Sequence, residues 1–129
     1  MASTGRPHRV SGAEYGRIVM AVVRIFTGED GESHFEELDA SSHPGLITPR
    51  QASTVVFKPI PAGYFNDWHP APCRQYVITL RGEAEIVIGD GTIRRFRPGD
   101  VLLAEDVTGR GHTMRTIGDR PCLTVQVRL

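Results

Sequence analysis

"DWHPAPCRQYVITLRG", Asp67 to Gly82, decides how this chain is read. A histidine follows a tryptophan, a glutamine stands six residues later, and an alternating run closes on Arg81-Gly82. In a strand, successive side chains point to opposite faces. Gln75, Val77 and Thr79 therefore share one face, and Tyr76, Ile78 and Leu80 share the other. A histidine just ahead of a strand is either a site residue or an ordinary turn or core residue, and the surrounding chain has to separate the two.

Working outward, the same kind of segment recurs. Short apolar or alternating runs are separated by Gly, Pro, Asp and Asn, which predicts strands at Ile18–Phe26, His34–Leu38, Thr54–Lys58, Gln75–Leu80, Ala84–Ile88, Thr92–Arg97, Val101–Ala104, His112–Thr116 and Leu123–Arg128. Regularly spaced turn signals of this type read as an all-β sandwich or barrel. No stretch holds a helical stripe. Gly89-Asp90-Gly91 predicts a hairpin that wants positive φ at its centre. Pro98-Gly99-Asp100 predicts a tight turn into Val101. Around Ala84–Ile88 the alternation places Glu83 and Glu85 outside, and Arg94, Arg95 and Arg97 on alternate faces, leaving Arg94 as the one that reaches the interior. "DASSHPGLITPR", Asp39–Arg50, is a long polar loop expected to act as a lid or pocket rim. Residues 1–13, rich in Gly, Ser, Arg and Pro, read as a flexible tail ahead of one domain over residues 14–129.

The bulk properties narrow the function classes. At 129 residues the chain is one domain, long enough to bury about two thirds of its unfolded surface. Fifteen basic residues balance fifteen acidic ones, so there is no electrostatic footprint for nucleic acid or an anionic membrane. The longest apolar run, Ile18 to Val23, is far too short to span a bilayer. Two cysteines, Cys73 and Cys122, make no disulfide framework. They read as free thiols in a reduced, cytoplasmic setting.

The opening segment resembles the first motif of the cupin family. That motif runs Gly, five residues, His-x-His, three or four residues, Glu, six residues, Gly. Here Gly63, His69 and Gly82 keep its spacing, with Ala71 at the second histidine and Gln75 at the glutamate. The second motif is similar to the stretch from Gly99 to Thr116. Its histidine position falls on His112 after two extra residues, its proline is missing, and Thr116 stands where asparagine is expected. The resemblance implies a single cupin jelly-roll barrel. It also implies that His69, Gln75 and His112 converge inside it, with walls from Val77, Ile86, Phe96 and Met114 and with Tyr64 and Trp68 at the rim.

Three functions follow, and the sequence leaves them open. In the first, His69, Gln75 and His112 hold a divalent metal (Fe, Ni or Zn) for an enzyme acting on a small organic molecule, since two imidazoles and an oxygen resemble an open facial triad. In the second there is no metal, and the two histidines are acid/base groups of an isomerase, epimerase, dehydratase or cyclase, with Gln75 orienting the substrate. In the third the barrel holds a small ligand without turnover. An apolar cavity with few polar groups is expected to suit an uncharged or enolisable molecule. Cys73 reads as a small packed thiol and His34 as a solvated strand residue; Glu105-Asp106 reads as a solvated turn or a loop cap, with a carboxylate pair near His112 as the less common alternative. Ile18–Phe26 reads as an exposed edge strand, which pairing in a homodimer would cover.

Overall fold

A computed structural model describes residues 22–129; the predicted tail at 1–13 and the first part of the expected strand, Ile18–Ala21, lie outside them. The described residues form β1 (Val22–Thr27), β2 (Ser33–Leu38), β3 (Thr54–Ile60), β4 (Phe65–His69), β5 (Gln75–Arg81), β6 (Glu83–Val87), β7 (Ile93–Phe96), β8 (Val101–Glu105), β9 (His112–Ile117) and β10 (Cys122–Arg128). Six strands form one sheet in the order β2-β1-β8-β5-β10-β3, and four form a second in the order β4-β9-β6-β7. The sheets face each other over Ile25, Ile86, Ile88, Phe96 and Leu102. Ile25 is completely buried, and burying a side chain of that size contributes about 1.5–3 kcal/mol. The result is all-β, as the strand pattern predicted, and a jelly roll, as the resemblance implied. No helix among the described residues is long and apolar enough to cross a membrane.

Several local expectations change. β1 is not an edge: it pairs antiparallel with β2 and parallel with β8. Its hydrogen-bonding edges are satisfied within the chain, so edge protection gives no reason for a dimer through β1. The edges of the large sheet are β2 and β3.

The Asp39–Arg50 loop is neither lid nor rim. It holds a single 3-10 turn, Pro44–Ile47, and Leu46 packs against Val22, Leu38 and Leu103 on the outer face of the large sheet. None of its residues lines the cavity described below. Burial of Leu46 against a second apolar cluster decides its course.

The Asp90 hairpin places only Gly91 at positive φ, 87°. Asp90 stays on the ordinary side, its Oδ1 accepting the Thr92 amide at 2.8 Å. Glu85 does face outward as the alternation requires, yet it is buried. Arg115 and Arg95 lie over it at 2.9 and 3.2 Å, and Arg97 joins Glu83 at 3.3 Å. Three arginines thus gather on one outer face, because β9 brings Arg115 beside the β6–β7 hairpin.

Candidate functional site

Between the sheets lies a cavity of about 420 Å³. His69, Gln75 and His112 line it, as do Tyr64, Val77, Ile86, Phe96 and Met114. Trp68 does not: it turns outward, with the Arg110 guanidinium 4.0 Å from its ring centre. Arg94 also lies outside the lining, paired with Glu37.

The strand carrying His69 is one the sequence pattern did not predict. β4 pairs with β9 irregularly, with a register shift between Asn66 and His69, so it carries no clean alternation. That shift sets His69 directly opposite His112. Their ring centres are 4.6 Å apart, tilted by 60°. Gly111 makes the approach possible. It has φ +78°, and a Cβ there would meet the His69 carbonyl oxygen at 1.9 Å.

Each ring is held by its Nδ1. His69 Nδ1 donates to the Asp67 carbonyl at 2.6 Å, and the Asn66 amide donates to His69 Nε2 at 3.3 Å. His112, which is buried, donates from Nδ1 to Asp106 Oδ2 at 2.6 Å. Each ring thus carries a hydrogen on Nδ1 and turns Nε2 to its other side.

Asp106 overturns the reading of Glu105-Asp106 as a solvated turn. The two residues part company at the end of β8. Burial opposes the charge of Glu105, but Arg24 and Arg74 outweigh it and hold its carboxyl below the usual range. Asp106 points inward and is completely buried. Its Oδ2 also accepts the Ser33 hydroxyl at 2.7 Å, and its Oδ1 has no hydrogen-bond partner. Its own carbonyl accepts the Ala71 amide at 2.9 Å, which pins the loop.

The remaining walls are more polar than expected. Thr79, Thr124, Gln126, Lys58 and Arg128 all line the cavity. Cys73 donates from its thiol to Gln75 Oε1 at 3.9 Å. Cys122 is buried, and burial pushes its thiol up, which makes it unreactive. His34 sits at the surface against Asp30 at 3.0 Å.

The donor set was tested against a divalent metal. At the second histidine position Ala71 presents a methyl group to the cavity wall. Gln75 is neutral, Asp106 is engaged behind His112, and the described residues bring together no group of three or more His, Cys, Asp or Glu suited to a metal. Two imidazoles and an amide oxygen are a neutral, weaker donor set than one that includes a carboxylate, and they fit a tightly held metal poorly.

No protein-family model and no curated protein matches the chain. Among solved structures it is similar to a cupin 2 conserved barrel domain protein from Salinispora arenicola, with 23% identity over 57% of this chain and 59% of that one and a TM-score of 0.46. It is also similar to a conserved double-stranded β-helix protein from Klebsiella pneumoniae, with 20% identity over 95% of this chain and 89% of that one, TM-score 0.46. The DMSP lyase DddQ from Ruegeria pomeroyi shares 33% identity over 58% of this chain and 36% of its own, TM-score 0.44. The strand order, with His69, Gln75 and His112 on β4, β5 and β9, is that of a single jelly roll of two facing sheets.

Proposed function

We propose that the protein is an enzyme that moves a proton on a small organic molecule inside the barrel, without a metal held by its own side chains. One observation carries this reading: buried Asp106 holds Nδ1 of His112, leaving Nε2 as the free nitrogen of a cavity residue. A carboxylate behind an imidazole fixes its tautomer and stabilises the charge the ring gains on accepting a proton.

In the proposed step, His112 Nε2 takes a proton from a carbon next to a carbonyl. The C–H electron pair moves into an enolate, and the imidazolium is balanced by Asp106. The Gln75 amide N–H donates to the enolate oxygen. His69, a neutral acceptor, receives a substrate hydroxyl in place of Asn66. His112 then returns its proton to the same or the neighbouring carbon, so the ring ends as it began. Isomerases, epimerases, dehydratases and cyclases share this step.

The test needs no knowledge of the product. Small carbonyl compounds are incubated with the protein in D₂O, and C–H loss is followed by NMR. Exchange with at least one compound is expected, falling on the order of a hundredfold in His112→Gln. Absence of exchange across the panel, together with one equivalent of metal by elemental analysis that is lost in His69→Ala, would favour the metal-dependent alternative. Tight binding of a compound without exchange would favour a binding module.

A further inference from the structure

The cavity has a sign. Its lining includes Lys58 and Arg128 and no aspartate or glutamate. Both cations are also solvent-exposed, so they stand at its mouth.

Their position follows from the register of the large sheet. Residues opposite each other in neighbouring strands project to the same side. On β10, Thr124 is opposite Lys58 of β3 and Thr79 of β5; Gln126 is opposite Val77, and Arg128 opposite Gln75. The inward face of these strands is thus a polar ladder that begins beside Gln75 and carries a cation on each of β10 and β3.

Most other described arginines are neutralised; Arg50, Arg81 and Arg120 are not, but none of these three lines the cavity. Arg24, Arg74, Arg94, Arg95, Arg97, Arg110 and Arg115 each pair with a glutamate within 4.0 Å. Among the described residues neither Lys58 nor Arg128 has a carboxylate within that distance. A concave site lined by one sign of charge concentrates ions of the other sign.

We infer that Lys58 and Arg128 form an anion-recognition mouth, and that the molecule taken into the barrel carries a carboxylate or a similarly small anionic group beside its reacting carbon. Arg128, opposite Gln75, suits it to the planar group: guanidinium binds carboxylate through two parallel N–H···O bonds. Lys58 adds a point charge. This names a substrate class for the proposed enzyme and replaces the expectation of an uncharged substrate. It rests on the same cavity but not on turnover.

The experiment is a binding comparison by calorimetry and by NMR shifts of the cavity residues. Pyruvate, benzoate and inorganic phosphate are each titrated, with pyruvate methyl ester and benzamide as uncharged counterparts. At least one carboxylate is expected to bind about tenfold or more tightly than its neutral counterpart, weakening with added salt. Arg128→Gln is expected to remove about tenfold of that affinity, Lys58→Met a smaller part, and the double variant the whole preference. Both positions are exposed, and far-ultraviolet circular dichroism checks that the variants fold. His112→Gln should keep the preference while losing exchange; anion preference without any proton exchange in the parent protein would sink the enzyme and spare the mouth. If no anion outbinds its neutral counterpart, or if the double variant retains the preference, the inference is overturned.

Discussion

Two buried carboxylates sit on opposite sides of the small sheet's surroundings, and the protein treats them differently. Glu85 lies on the outer face under Arg115 and Arg95. The Arg115 hydrogen bond, helped by Arg95 and only partly opposed by burial, holds its carboxyl below the ordinary value. Its charge is balanced by groups that are always charged. Asp106 lies inside against a hydroxyl and an imidazole, with one oxygen unpartnered. Among its hydrogen-bonded side chains only His112 can carry a compensating charge. The first arrangement is complete at rest. The second has no permanent counter-charge among its hydrogen-bonded side chains, and on the proposed function that difference separates structural from functional polarity in one small barrel.

The largest effect is expected at Asp106. Asp106→Ala leaves Ser33 and His112 without their acceptor and should destabilise by about 3 kcal/mol in urea unfolding, as two buried donors lose their partner. Asp106→Asn should keep most of the fold yet abolish proton exchange on the order of a hundredfold. Full exchange in that variant would break the comparison. Next comes Glu85→Ala, expected to cost about 1–2 kcal/mol because two arginines lose their counter-charge, with their exposure limiting the loss. Exchange should be unchanged. Ser33→Ala should cost about 1 kcal/mol, with a smaller loss of exchange than at Asp106.

The smallest effect is a pH dependence. Since folding lowers the Glu85 pKa, its ion pairs add stability above the unfolded carboxylate value of about 4.3. That stability is lost as pH falls through the lower, folded value. Urea midpoints at pH 7 and at about pH 3.5 should therefore draw closer together in Glu85→Gln than in the parent. An unchanged gap would assign the acid sensitivity to other carboxylates.

The strand pattern was readable where period-two faces survive, with Gln75, Val77 and Thr79 of β5, Ala84 and Ile86 of β6, and Thr124, Gln126 and Arg128 of β10 all lining the cavity. β4 was not, because its pairing is broken between Asn66 and His69. The positions of His69, Gln75 and His112 around one cavity follow from motif spacing. The burial of Asp106, weighed only as the less common alternative, was hidden because the residue that reveals it, Ser33, lies 73 positions away, beyond any local window. The mouth escaped for another reason. On β3 and β10 the usual rule is inverted: Val55 and Phe57 face solvent, 59% and 67% exposed, while Thr124, Gln126 and Arg128 face the cavity. Alternation identifies two faces, but here hydrophobicity does not say which is inside.

The sheet order also dictates when this site can exist. β1 joins β8 in parallel, Val22 beside Val101. β10, which follows every other strand described, lies between β5 and β3. The large sheet therefore cannot be completed by neighbouring segments closing in sequence. Such distant pairings must overcome loop-closure entropy first and slow folding into the millisecond-to-second range typical of β-sandwiches. During synthesis, β3 and β5 must wait with unpaired edges until β10 arrives between them. The strand that delivers Arg128 is thus also the one whose arrival ends that vulnerable interval.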